Sequence, residues 1–539
     1  MRIAGILVGV LLLDACTTEL DAGFLHAVPS IEVTTELATE VVVPLDVMVG
    51  ETEIDDATFA LDGVQLGTLR AGQFVVSGLA AGRATLSISY AGNTVAVPIH
   101  VRVESTRVMA DTPASAISAL AAATAAPFDA QLTPANGARI PPNLGTIEVD
   151  FAGAEGDDVF EVRAGTEDLD LRVVGPSAHA ALSPLEWRVI TASAPNGHDI
   201  GLTSRSLSTA APAMARTANT RIALGKQPMA KQMLFSAFTT VQQTALYHYD
   251  AVNASPIAWM EPSLTAPATP DDEDDPIYCI GCHASVSKDG SRIAVITTTG
   301  LGGAGTGAII DTVTKSFLSV DETATWTSSA YDPSGLLITA QAGVLTLRDG
   351  DTATALQTLT TEGAAASPFI SPDGALLGYG VLDATSPSMI TAELRVHPWD
   401  ATTGTLGPAQ VLVPADGGGI KDPSFSSDGA WVLYGHTATP ASVPTDLGGL
   451  RIVRTSGAAT PIELAVDSGD VIASWASDLT SDGAWITIKS RRTVGGRTQP
   501  PQLWMAAFDP ASGTISTPFH LPGQPTNMTT NHAPRRLPD

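Results

Sequence analysis

Cys279, Ile280, Gly281, Cys282 and His283 form the segment of this chain best suited to chemistry. The spacing is C-x-x-C-H. Two thiols three positions apart can add to the two vinyl groups of one porphyrin, and the imidazole that follows is then held over the iron. The pattern is that of one covalently attached haem c, with Cys279 and Cys282 as tethers and His283 as proximal ligand. Cysteine is otherwise scarce. The chain has three in all, and the third, Cys16, sits near its start.

Other chemistries use the same residues. A Cys279–Cys282 disulfide is the main rival in an exported protein. Zinc needs a fourth ligand and usually a second pair. A thioredoxin-like redox motif should open a helix in a βαβ setting, whereas this one precedes a strand pattern. The acidic run Asp271 to Asp275, just upstream, could steer a basic redox partner or hold Ca²⁺, or be a solvated loop.

The start of the chain bears on the compartment. Arg2 precedes an apolar run, Ile3 to Leu13, too short to span a bilayer. It ends in Leu13-Asp14-Ala15-Cys16, which resembles a bacterial lipobox; Asp14 departs from that pattern. Residues 1–16 are therefore expected to be a lipoprotein-type signal peptide, with Cys16 lipidated and 17–30 a tether. The expected location is the bacterial cell envelope, lipid-anchored, on its periplasmic side or at the cell surface.

With 539 residues the chain is too long for one core. Aromatic residues are 5% and charged residues 16%, alongside 49 Gly and 37 Pro, which favours short strands and turns. The net charge of -28 is unsuited to a nucleic-acid phosphate backbone.

Alternating strands run from Ile31-Glu-Val-Thr-Thr to Val95-Ala-Val-Pro-Ile-His-Val-Arg-Val. Gly-Leu-Ala-Ala-Gly at 78–82, followed by such a strand, resembles the end of a bacterial Ig-like domain, which implies a β-sandwich over 31–104. Residues 105–134 are rich in Ala, Ser and Thr and read as a linker, with a short helix possible over Ala116 to Ala126. A second sandwich, Ig- or fibronectin-like, is expected over 135–222.

The remainder carries an internal repeat. Ser287-Lys-Asp-Gly, Asp332-Pro-Ser-Gly, Ser371-Pro-Asp-Gly, Ser426-Ser-Asp-Gly and Thr480-Ser-Asp-Gly each precede an apolar strand. Asp-Gly between apolar runs marks a tight hairpin, because Gly takes positive φ without steric cost. Four-strand units of this length build a β-propeller. The Ser-Pro-Asp-Gly form resembles the TolB-like propeller family, over residues 225–539. That resemblance implies six blades. Residues 231–262 supply three strands of a sixth, and the tail beyond Pro522 is the piece left to complete it.

The fold class is thus all-β: N-terminal Ig-like sandwich modules, then a six-bladed propeller. The repeat places Cys279 to His283 in the connection into the innermost strand of one blade, at a mouth of the channel. His283 is six residues before Asp289, and His532 is seven before Asp539. If the tail fills the adjoining inner strand, His532 or Met528 comes up beside the motif as distal ligand. Two His would lower the potential and Met would raise it.

No G-x-S-x-G elbow, Walker motif or strand–helix GxGxxG is found in the sequence. His248, His397, His436 and His520 are scattered, and Trp431, Trp485 and Trp504 read as packing between blades. The sequence points to an electron carrier, monomeric and working with an unidentified envelope or redox partner, rather than a hydrolase. The alternative is a non-catalytic envelope scaffold for protein or peptide, with the Cys pair as a staple; a haem enzyme with an open sixth position is the third reading.

Overall fold

The computed structural model describes residues 25–537 apart from 71, 129–131, 152, 154, 195–197, 239–243, 261–276, 300–304, 322–325, 384–389, 439–447, 457–459, 467–469, 471, 495–499 and 531–534. Within described strands, the side chains of 26, 238, 277–279, 281–283, 298–299, 305 and 321 are not described. Among the described residues the chain is all-β apart from two short helices, and it divides into two compact units.

The first unit comprises Met1–Leu132 and Thr146–Leu224. Its strands follow the expected alternation. In Ile31–Glu36, for example, Ile31, Val33 and Thr35 are buried and the residues between them exposed. The long strand Asn93–Val108 joins what the sequence separates. Its first half pairs antiparallel with Gly82–Tyr90, and its last six residues pair parallel with Leu169–Val174. Residues 105–108, expected to open a linker, are therefore strand. The two regions expected as separate sandwiches share one ten-stranded sheet. Helices occupy Ala116–Ala122 and Pro184–Ser193. The second is fixed by a capping box: Ser183 Oγ accepts from the Glu186 amide, and Glu186 accepts from the Ser183 amide. It buries Trp187, Val189 and Ile190.

The second unit comprises Thr133–Gly145 and Gly225–Asp539. It is a β-propeller of six antiparallel blades. Four of them begin with Ser328–Tyr331, Ala365–Ile370, Gly419–Phe425 and Ile472–Trp475. A nine-stranded sheet holds the other two, one beginning with Ile277–Val286 and one containing Gln232–Phe238, Thr244–Asp250 and Ser255–Met260. That last blade takes its first strand from the tail. Thr529–Thr530 pairs with Ala237 and Phe238, and Arg535–Arg536 pairs with Met233 and Leu234. First strands lie side by side around a closed ring, in which Arg535–Arg536 touches both Ile472–Trp475 and Ile277–Val286.

The repeated hairpin has a physical cause. Gly290, Gly335, Gly374, Gly429 and Gly483 all have positive φ, from 70° to 110°. In three copies a Ser hydroxyl does two jobs. Ser287 donates to Asp289 and accepts from the Arg292 amide; Ser371 and Ser426 do the same with Asp373 and Leu376, and with Asp428 and Trp431. In the Asp332 copy one carboxylate oxygen accepts from both the amide and hydroxyl of Ser334 and from the Leu336 amide. Aromatic rings fill the spaces between blades. Trp431 and Trp475 both meet Phe508 edge-on, at 5.6 and 5.5 Å between centroids.

Candidate functional site

The C-x-x-C-H segment lies within the first strand of its blade, Ile277–Val286, rather than in the connection before it. The strand begins early because Cys279 also pairs in parallel with Thr244 of the neighbouring blade. Its ladder to Arg292–Thr299 slips three times, between Ile277 and Cys279, Ile280 and Cys282, and Cys282 and Ser285. Cys279 pairs with Thr298 and Cys282 with Ile296. The odd residue between the two cysteines is taken up by the slip, which gives them equal register parity on the strand. Ile280, between them in sequence, is 1% exposed and anchors the segment in a cluster with Leu234, Leu246, Ile293 and Leu537.

The tail meets this segment. Arg535 Nε donates to the carbonyl of Ala284, the residue after His283, at 3.4 Å. The Leu537 amide donates to the Gln232 carbonyl at 3.2 Å. His532 lies outside the described residues, between the two tail strands that flank it. Met528 is described, and it is buried at 6% exposure, with its amide on the Pro525 carbonyl. Met528 precedes the far end of the tail strand. Its neighbour Thr529 pairs with Phe238, Phe238 with Thr244, and Thr244 with Cys279. Three ladder steps of ~4.8 Å put Thr529 about 14 Å from Cys279 along that row. Cys16 and the acidic run Asp271 to Asp275 also lie outside the described residues.

Other inner strands repeat the slip. Ser367 and Asp422 adopt φ of 49° and 45°, rare for non-Gly residues, where their ladders skip between Ala366 and Phe369 and between Lys421 and Ser424. Each stands seven residues before the hairpin Gly, at Gly374 and Gly429, and His283 stands seven before Gly290. Sequence reasoning missed this repeated slip. Its signal is Pro368 and Pro423, which follow directly and cannot donate to a ladder.

Polar groups gather on these inner strands. Ser285 and Ser329 share a hydrogen bond of 2.8 Å, and Ser328 Oγ accepts from the Ser367 amide at 3.1 Å. Burial pushes the Arg535 guanidinium down from its ordinary pKa, and the negative charge of Asp422 partly offsets this. The four scattered histidines do not converge. His397 is held by the Gly407 carbonyl and the Tyr379 hydroxyl at 2.9 and 3.0 Å, His436 by Asp416, and His520 by Gln502 at 2.7 Å. Burial lowers the pKa of His248. Trp485 packs edge-on to Phe519, and Trp504 sits in the cluster of Trp431.

No family model matches the chain, and no curated protein matches it in sequence. Among solved structures, the chain is similar to hydrazine synthase from Kuenenia stuttgartiensis at 15% identity, over 50% of this chain and 72% of that one, with a TM-score of 0.32. It is similar to the dihydro-heme d1 dehydrogenase NirN at 15% identity, over 53% of each chain, with a TM-score of 0.33. TolB from Acinetobacter baumannii matches at 12% identity, over 60% of this chain and 80% of that one, with a TM-score of 0.31. At such identities the propeller is read from the blades themselves: six antiparallel blades, two of them joined in one nine-stranded sheet, whose inner strands close on the chain's own tail.

Proposed function

We propose that this protein is an exported, lipid-anchored electron carrier with one covalent haem c on the inner face of its propeller. The chemistry of the donor set fits the group: two thiols and an imidazole within five residues. The observation that carries the reading is where this set falls. Cys279 to His283 occupies the stretch where the inner-strand ladder slips, and there the tail closes the ring through Arg535 and Ala284. A slipped ladder frees backbone from strict pairing, and Arg535, three residues after His532 in the sequence, reaches the carbonyl of Ala284.

In this reading Cys279 and Cys282 tether the porphyrin, His283 is the proximal ligand and His532 the distal one. When bound, the haem iron supplies one-electron exchange. The chain's own part is to hold that edge within a rigid ring, with Ile280 and Leu537 packed beneath it. Cys16 carries the lipid, Ig-like modules separate the propeller from the membrane, and the site faces the envelope. The charge of -28 favours a basic redox partner.

The test is the visible spectrum of protein produced with haem-attachment machinery. Sharp bands on reduction, and colour that stays with the chain after denaturation, are expected. A folded, colourless product would end the proposal. His532→Ala should convert a low-spin spectrum to high spin; an unchanged spectrum would remove His532 as distal ligand.

A further inference from the structure

Glu148, Asp150 and His179, all in the first unit, form a second constellation of metal-binding groups, away from any motif in the sequence. Strand alternation brings them together. In Glu148–Phe151, Val149 and Phe151 are 0% and 3% exposed and point into the core, so Glu148 and Asp150 share the outer face. The strand His179–Ala181 runs antiparallel to it, with His179 opposite Asp150 and Ala181 opposite Glu148. Ala180 is buried, which puts His179 on that same outer face.

The distances suit a single ion. His179 Nδ1 and Asp150 Oδ1 are 2.9 Å apart, and one ligand atom from each of the three residues lies within 4.8 Å of the others. Two atoms bound to one Zn²⁺ at its usual bond lengths stand roughly 3.0–3.4 Å apart, depending on the angle. His179 and Asp150 are thus already near ligand spacing, and a Glu148 carboxylate oxygen lies within 4.8 Å of both. Arg107 donates to the Ala181 carbonyl, but its guanidinium is engaged by both carboxylate oxygens of Glu186, at 2.9 and 3.0 Å.

We infer that Glu148, Asp150 and His179 form a site for a divalent transition metal of the Zn²⁺ class. The imidazole decides the class, since Ca²⁺ and Mg²⁺ prefer oxygen alone. Three protein ligands leave positions open to water or to a donor from a partner. The ladder, not a loop, sets all three backbone positions, so little ordering is needed on binding.

The full chain, stripped with chelator, is titrated with Zn²⁺ alone and separately with Co²⁺. Because Cys279 and Cys282 can also take metal, the titration is repeated on the Cys279→Ser/Cys282→Ser variant. One equivalent should remain in that variant, with a Co²⁺ spectrum lacking thiolate charge-transfer bands. His179→Ala and Asp150→Asn should each weaken this equivalent at least about tenfold, with unchanged circular dichroism. Absence of binding in the cysteine variant, or binding indifferent to His179→Ala, would overturn the site. If the cysteine variant fails to fold, His179→Ala in the otherwise native chain decides: loss of one equivalent supports the site, and unchanged stoichiometry and affinity refute it.

Discussion

Replacing Leu537 by Ala tests whether the tail holds the propeller closed. Leu537 directly follows the last tail strand, is 8% exposed, and belongs to the cluster that also contains Ile280, Leu234 and Leu246. Truncating a buried Leu costs about 2–5 kcal/mol, from lost transfer energy plus the cavity left behind. The lower part of that range applies, because Leu537 lies just beyond its strand and keeps 8% exposure. About 2–3 kcal/mol is therefore expected. The assay is denaturant unfolding followed by tryptophan fluorescence. It reports the propeller, because of eight tryptophans only Trp187 lies in the first unit. Leu318→Ala is the control, since Leu318 is 44% exposed and should change stability by less than about 0.5 kcal/mol. An effect of Leu537→Ala no larger than the control would show that the tail is not part of the ring's core.

The hairpin before the first full blade gives a pH test. The Ser287 hydroxyl, then the amide and hydroxyl of Ser291, lower the Asp289 pKa from 3.8 to about 2, outweighing a small opposing effect of burial. A depressed carboxylate stabilises above its unfolded value and loses that contribution as pH falls through its folded value. The stability difference between the native chain and Asp289→Asn should accordingly shrink between pH 4 and pH 2; a difference that stays flat across this window would remove the mechanism. Packing gives the next test. A Cβ on Gly307 would lie 2.1 Å from the Trp326 ring, whereas one on Gly335 would meet nothing within 4 Å. Gly307→Ala should cost about 2–3 kcal/mol, the upper part of the overpacking range, because the Trp326 ring it meets is itself buried. Gly335→Ala should cost about 1 kcal/mol, from its φ of +93° alone. Equal unfolding midpoints for the two variants would contradict this.

The parts legible in the sequence were those fixed by local chemistry. Asp289-Gly290 and its four relatives announce hairpins because one Ser, Thr or Asp side chain and one positive-φ Gly settle each turn without distant help. Ring closure was legible for a related reason: residues 231–262 offer three strands, and the tail alone could complete the blade. What escaped depends on distant pairing. Nothing in Ser105-Thr-Arg-Val108 says that it will pair with Leu171–Val174, so a linker and a strand look alike there. The strand containing the C-x-x-C-H segment starts earlier than its periodicity suggests, because Thr244 supplies a partner from another blade. Asp150 and His179 are 29 residues apart, and only the register of their two strands makes them neighbours. The helix Pro184–Ser193 was missed inside the region read as a sandwich, although Ser183 and Glu186 stand at capping-box spacing before it.

The most direct measurement is the mass of the peptide spanning Cys279 to His283, released by proteolysis from protein matured in a host able to attach haem. One haem mass on that peptide, surviving acid and detergent, is the expected result. A peptide carrying an internal disulfide or two free thiols, from a folded protein made under those conditions, would contradict the assignment of Cys279, Cys282 and His283.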